Sequence, residues 1–305
     1  MSSFCEDRVV IVTGAARGLG REYALMLAAH GAKVIVNDLG GARDGTGADV
    51  GPAEQVVAEI KAAGGEAMVN DADVSDFDAA RAMIQQAIDS YGRLDVLLNN
   101  AGILRDRMLV NMTEEEWDAV IKVHLKGTFA PSKHAAAYWR EQSKAGQPVD
   151  ARLINTTSVS GIYGNAGQTN YGAAKMGTAA FTIIAARELG RYGVTVNAIA
   201  PAALTRLTED LSPEPLTEEQ KKERDPRWVA PLATWLASTE SKGVTGRIFE
   251  GAGGMYAVAE GWHRGPTCEP IEDPTKLGPV LRDMVKRARK NAGMNGQDLD
   301  GGLDE

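Results

Sequence analysis

Tyr171 and Lys175 stand four residues apart, and Ser158 lies thirteen residues before the tyrosine. On a helix, positions i and i+4 share one face, so the phenol and the ammonium of Tyr171-Gly-Ala-Ala-Lys175 point the same way. An ammonium beside a phenol favours the phenolate and lowers its pKa. A tyrosine tuned in that way can hand a proton to a carbonyl, or take one from an alcohol, near neutral pH. Ser158 follows an apolar run, Leu153-Ile154-Asn155-Thr156-Thr157, that reads as a strand, and its hydroxyl can hydrogen-bond the same substrate oxygen. The three side chains describe a carbonyl–alcohol redox site that lacks only a hydride carrier. The plain alternative for Tyr171 and Lys175, an exposed helix pair, loses its force once Ser158 and a glycine-rich turn near the start of the chain are added.

That turn signals the carrier. Arg8-Val9-Val10-Ile11-Val12 is a short β-branched run, by pattern a buried parallel strand. Thr13-Gly14-Ala15-Ala16-Arg17-Gly18-Leu19-Gly20 follows and opens an apolar-periodic helix through Tyr23, Ala24, Leu27 and Ala28. Glycines let a backbone turn tightly and approach a pyrophosphate, which then sits on the helix N-terminus. The spacing, Gly-x3-Gly-x-Gly, differs from the commoner Gly-x-Gly-x-x-Gly, but the strand before it and the helix after it are those the motif requires.

The elements that must position these residues alternate along the chain. Strands are predicted at 8–13, 32–37, 66–71, 94–99, 152–157, 194–199 and 246–250. Helices are predicted at 18–30, 52–63, 76–91, 114–125, 126–144, 170–191 and 226–237. Seven β-runs separated by helices predict an α/β fold with a doubly wound parallel sheet, which binds ligands at the carboxyl ends of its strands. The glycine turn, Asp38, Asp73, Asn100, Ser158 and Pro201 all fall at or just after such ends. This pattern gives one domain over 1–256 and a C-terminal extension over 257–305. In the extension, Asp273-Pro274 opens a helix with Leu277, Leu281, Met284, Val285 and Ala288 on one stripe among Arg282, Lys286, Arg287, Arg289 and Lys290. A docked surface helix with solvated charges is the plain reading; a lid, a subunit contact or a site for an anionic substrate handle is the sharper one. The Gly/Asp-rich end, Gln297 to Glu305, reads as disordered.

Composition narrows the classes. A chain of 305 residues is ample for a sizeable core. A net charge of −8 and a pI near 5.2 argue against nucleic acid or an anionic membrane as main partner. Two distant cysteines, Cys5 and Cys268, give no disulfide framework and fit a reducing compartment. No apolar run is long enough for a membrane span, residues 1–7 lack the apolar core of a secretory signal, and Leu303-Asp304-Glu305 is not a peroxisomal address. The expected location is cytoplasmic.

The motifs together resemble the short-chain dehydrogenase/reductase family over roughly residues 5–256, through Thr13 to Gly20, Asn99-Asn100-Ala101-Gly102, Ser158, Tyr171 and Lys175 in that order. The resemblance implies a Rossmann-type sheet, a nicotinamide cofactor and catalysis by Ser158, Tyr171 and Lys175. Asp38, ending Val34-Ile35-Val36-Asn37, would accept hydrogen bonds from the adenosine ribose and repel a 2′-phosphate, favouring NAD over NADP; a turn aspartate beside Gly40-Gly41 is its plain alternative. Arg17 argues for NADP, but members of both preferences carry an arginine nearby. Asp73-Val74 would meet the adenine, with an N-cap as the plain alternative. Asn100 would pin neighbouring strands while Ala101 and Gly102 leave room for cofactor. Lys175 would also hydrogen-bond the nicotinamide ribose. Pro201 resembles the family's Pro-Gly turn, although Ala202 replaces the glycine, and Thr205 or Thr208 would contact the carboxamide or pyrophosphate.

His124 departs from the family, which usually has an asparagine there holding a water that relays protons to the lysine. A neutral imidazole can also accept and donate, so a relay role stands beside that of a core histidine marking a helix break. Val123-His124-Leu125-Lys126-Gly127, Asn37-Asp38-Leu39-Gly40-Gly41 with its glycine-rich insert, Ser160-Gly161-Ile162-Tyr163-Gly164-Asn165 and, more weakly, Arg227-Trp228-Val229-Ala230-Pro231-Leu232 occur together. The set is similar to the (3R)-hydroxyacyl-CoA dehydrogenase branch found in peroxisomal multifunctional enzymes of type 2 and in stand-alone bacterial relatives. That resemblance implies NAD⁺-dependent oxidation of a (3R)-hydroxyacyl-CoA by a homodimer or homotetramer. The rivals are a hydroxysteroid dehydrogenase, a 3-oxoacyl carrier-protein reductase, whose usual NADPH Asp38 disfavours, and a non-catalytic nucleotide sensor.

Overall fold

The computed structural model describes residues 4–42, 44–47, 49–204 and 217–299. Its first half alternates strand and helix: β1 (Val9–Thr13), α1 (Gly18–Ala29), β2 (Lys33–Asn37), α2 (Gly51–Ala62), β3 (Glu66–Asn70), α3 (Phe77–Tyr91) and β4 (Val96–Asn99). Then follow α4 (Glu114–Ile121), a π-helical turn (Lys122–Lys126), α5 (Gly127–Lys144), β5 (Ala151–Thr156), a second π-helical turn (Ser160–Gly164), α6 (Thr169–Leu189) and β6 (Val194–Ala202). Beyond residue 217 come α7 (Glu218–Glu223), α8 (Ala230–Ala237), β7 (Ile248–Ala252), β8 (Met255–Ala259) and α9 (Pro274–Arg287).

The strands lie in the order β3-β2-β1-β4-β5-β6-β7-β8, parallel except for β8. Successive β1 side chains point to opposite faces, as the pleat requires. Val10 and Val12 join Val34 and Val36 in a core with Leu27 of α1, Ile60 of α2 and Leu236 of α8. Val9 and Ile11 join a second core with Met83 of α3, Trp139 of α5 and Ala185 of α6. Burial on both faces explains why the central strands read as unbroken apolar runs rather than alternating ones. The order reverses between β1 and β4, and their carboxyl ends diverge there into a crevice.

The sheet has eight strands, not the expected seven: β8 returns antiparallel on β7, with Ala252 opposite Met255 across Gly253-Gly254, a two-residue hairpin loop. The chain divides into the units Met1–Ala259 and Glu260–Glu305. The segment expected as one helix at 226–237 is a short turn, Pro226–Trp228, leading into α8. In the second unit α9 forms where expected, capped by Asp273, and none of its residues is buried. Gln297 and Leu299 bond back to Gly293 and Asn291, so the expected disorder does not begin at Gln297; residues 300–305 lie outside the described residues.

Candidate active site

The crevice holds a cleft of about 370 Å³. Its floor is the glycine turn. Gly14 takes a positive φ of 63°, and a Cβ there would stand 2.7 Å from the Ala101 Cα, so only glycine lets β1 and β4 close together at this point. Gly20 packs tightly against the turn: a Cβ on it would meet the Gly14 carbonyl. Asn100 ties the arrangement. Its Nδ2 donates to the carbonyls of Thr13 at 3.0 Å and Gly14 at 3.1 Å. Its backbone N–H, with that of Ala101, bonds Thr13 Oγ1. Helix α1 starts without a side-chain cap and without an acidic residue in its first turn. Its free N–H donors open beside Gly14, Arg17, Gly18 and Leu19, which all line the cleft. An uncapped helix end of this kind fits a pyrophosphate.

Asp38 follows β2 at the rim. Its carboxylate accepts the N–H of Ala16 at 2.9 Å and of Gly40 at 2.7 Å, so it fills the plain turn role while also lining the cleft. The described residues of the glycine-rich insert pass over this end. Arg105 donates to the Asp44 carbonyl at 3.0 Å, and a Cβ on Gly45 would stand 3.2 Å from Ile103 Cδ1. Asp73 and Val74 line the cleft after β3. Asp73 holds Ser75 through its N–H and hydroxyl, while the N-cap of α3 is Asp76, so the capping alternative for Asp73 falls away. Pro201 also lines the cleft, but within β6, which runs three residues further than the predicted strand. Thr205 and Thr208 lie outside the described residues.

Tyr171 and Lys175, on α6, reach the cleft from the other side. Ser158, buried after β5, hydrogen-bonds the Tyr171 hydroxyl. The expected depression of the phenol does not appear. Burial pushes Tyr171 up to about 12 against the opposing Ser158 hydrogen bond, and the nearby Asp106 charge raises it further. Burial also drives Lys175 down to about 7, so near neutral pH its ammonium is only partly present to favour the phenolate. Lys175 Nζ donates to the Thr156 carbonyl at 2.6 Å and lies 5.6 Å from the Tyr171 ring centre. Thr157 Oγ1 in turn donates to the Lys175 carbonyl, fixing α6 to the end of β5.

His124 is buried in the first π-helical turn, where one extra residue per turn rotates it towards the cleft; the expected helix break is this turn. Its Nε2 lies 2.7 Å from the Ile103 carbonyl and 3.1 Å from the Ile103 nitrogen, while Nδ1 has no protein partner. Burial, with the Lys175 charge second, holds its pKa down to about 3, so the imidazole is neutral. The ring meets that of Tyr171 edge-on at 5.1 Å.

Sequence reasoning passed over Thr13, Thr156 and the buried chain Ser132–Asn99–Asn155–Thr182, which links α5, β4, β5 and α6. Thr13 and Asn99 were visible inside the quoted motifs; the partners on distant elements left no local signal.

Comparison with known proteins agrees with this geometry. The family described as short chain dehydrogenase matches residues 8–215. A hydroxyacyl-CoA dehydrogenase of Mycobacterium tuberculosis is 43% identical over 288 residues, covering 90% of this chain and 88% of that protein. The peroxisomal multifunctional enzyme type 2 of Drosophila melanogaster is 46% identical over 286 residues; the match takes in 94% of this chain but only 45% of that longer protein. The crystal structure of a short chain dehydrogenase from Mycobacterium avium superposes with a TM-score of 0.86 at 50% identity, over 98% of this chain and all of the other. The family match and these relatives agree with the sheet order and with the serine–tyrosine–lysine set beside the cleft: the chain belongs to the short chain dehydrogenase family, oxidoreductases of CH–OH groups.

Proposed function

We propose that the enzyme oxidises a (3R)-hydroxyacyl-CoA to the 3-ketoacyl-CoA with NAD⁺. The observation that carries the chemistry is the convergence of Tyr171, Lys175 and neutral His124 on one cleft, with Ser158 hydrogen-bonded to Tyr171 behind them, opposite an uncapped helix end suited to a pyrophosphate. Asp38 supports NAD over NADP, because a 2′-phosphate at that rim would meet a fixed carboxylate. Gly14, Gly18 and Leu19 would hold the pyrophosphate, Asp73 and Val74 the adenine, and Lys175 the nicotinamide ribose. NAD⁺, when bound, would supply the acceptor for the hydride of the carbinol carbon. Tyr171, as the phenolate, takes the hydroxyl proton and becomes the phenol, Ser158 fixes the same oxygen, and a charged Lys175 stabilises the phenolate that is regenerated when this proton is lost before the next turnover. Carbon–hydrogen and oxygen–hydrogen bonds break, the C=O bond forms, and one proton leaves with each hydride transferred. The thioester substrate is supported by the relatives named for that activity. A homodimer or homotetramer is supported by Phe129 and Ile184, exposed together along a groove between α5 and α6. The lack of a membrane-length apolar helix among the described residues is compatible with the cytoplasmic placement.

The test is a turnover screen of 3-hydroxyacyl-CoA thioesters, free hydroxysteroids and 3-oxoacyl carrier protein, each with both cofactors. The thioesters with NAD⁺ are expected to give the highest kcat/KM. A free hydroxysteroid or the carrier-protein substrate in first place would overturn the substrate class.

A further inference from the structure

Ser158 is bonded into the second π-helical turn, and that turn is held from both sides. The Ser158 hydroxyl accepts the Ser160 N–H at 3.1 Å, and its carbonyl accepts those of Gly161 at 3.0 Å and Ile162 at 3.1 Å. On one side the turn presses on the catalytic helix. A Cβ at Gly161 would stand 2.7 Å from the Met176 nitrogen and 2.9 Å from the Lys175 Cβ, and one at Gly172 would come within 3.2 Å of the Ser160 carbonyl. On the other side the Tyr163 hydroxyl donates to Oε1 of Glu250, a buried carboxylate in β7. Glu250 is set in place by the sheet, opposite Ala200 of β6 and Ala257 of β8.

A carboxylate buried inside a strand is costly unless it is hydrogen-bonded. Glu250 lies in the middle of the antiparallel β7–β8 pairing, and neither it nor Tyr163 lines the cleft. A glutamate there adds nothing to core packing that an apolar residue would not supply. What it supplies is a fixed acceptor for the far end of the turn that carries Ser158.

We propose that Tyr163 and Glu250 are positioning residues that hold the Ser160–Gly164 turn between β7 and α6, and so set the distance of the Ser158 hydroxyl from Tyr171. The strut is expected to act more on the substrate oxygen than on the cofactor, because the hydrogen bonds of the turn given above reach neither the glycine turn nor Asp38. It deepens the dehydrogenase reading above and rests on it.

Three variants test the strut: Tyr163→Phe, Glu250→Ala and Glu250→Gln. Displacements near 1 Å at a reacting group cost about 100-fold, so a partial loosening is expected to lower kcat about 10-fold or more in the first two. The amide oxygen of Glu250→Gln still accepts the phenol, and this variant should stay within about threefold of the unaltered enzyme. NADH affinity, measured by fluorescence titration, should change much less than kcat in each of them. Hydrogen–deuterium exchange of the amides at 160–164 should speed up in Tyr163→Phe and Glu250→Ala alone. Unaltered kcat in Tyr163→Phe, with or without faster exchange, overturns the proposal, as does a fall in NADH affinity equal to the fall in kcat. The substrate class fails separately: an unaltered enzyme silent on 3-hydroxyacyl-CoA but active on a simple secondary alcohol overturns that reading alone, and the strut is then measured on the alcohol.

Discussion

The imidazole of His124 lies so close to Gly102 that a Cβ on the glycine would stand 2.4 Å from Cε1, while the ring also meets Tyr171 edge-on at 5.1 Å. The histidine is thus seated between the end of β4 and the catalytic tyrosine. Gly102→Ala must push the ring, and overpacking of this kind costs about 1–3 kcal/mol. Gly102→Ala is expected to lose activity about 10-fold or more, and Gly102→Ala with His124→Asn to recover part of it, since the smaller side chain vacates the space. Steady-state kcat of the single and double variants checks this; a double variant worse than Gly102→Ala would contradict it.

His124 also tests the relay. Its neutral ring and the partnerless Nδ1 suit a held water, which asparagine would also hold. His124→Asn is expected to keep most activity and His124→Leu to lose it. Equal losses would make His124 a packing residue. Because burial holds its pKa down to about 3, neither variant should remove a limb between pH 5 and 8 from the rate profile.

Asp38 predicts the cofactor. Placing a phosphate beside a fixed carboxylate costs several kcal/mol, so kcat/KM should favour NAD⁺ over NADP⁺ by about 100-fold or more. Asp38→Asn should narrow the ratio. Equal efficiencies in the unaltered enzyme would remove the role assigned to Asp38.

Lys175 predicts a pH dependence of cofactor binding. Its pKa in the free protein is held down to about 7 by burial, from an ordinary 10.5. If the complex keeps the ammonium on the ribose hydroxyls, binding takes up a proton above pH 7. Affinity for NADH is then full below pH 7 and falls by up to about tenfold per unit above it. Lys175→Ala should bind more weakly and without that slope. A flat profile in the unaltered enzyme would contradict the ribose contact. Tyr171→Phe should bind NADH normally and lose about 10²–10⁴ in turnover.

Much of the site was legible because its signals are local. The helix period put Tyr171 and Lys175 on one face, and the glycine turn stood between a strand and a helix. Asp38, Asp73 and Asn100 fell at strand ends, where such sheets bind. What escaped was set by tertiary context. A π-helical turn adds one residue to a helix and leaves no mark in composition, so His124 read as a break. The upward shift of Tyr171 depends on its depth of burial, which outweighs a lysine that burial itself discharges. The pairing of Tyr163 with Glu250 spans 87 residues. β8 was missed despite a legible signal, since Gly253-Gly254 between two apolar runs is a hairpin signature.

The central claim is that one hand of a 3-hydroxyacyl-CoA is oxidised with NAD⁺. With the oxygen fixed by Ser158 and Tyr171 and the nicotinamide side set by the glycine turn, hydride can leave from one face only. The other enantiomer misplaces its hydrogen, and a misplacement near 1 Å costs about 100-fold. The direct measurement is NADH absorbance with each enantiomer of a medium-chain 3-hydroxyacyl-CoA. Oxidation of the 3R isomer, with the 3S isomer at least about 100-fold slower, is predicted; preference for 3S, or silence on both, would contradict the account.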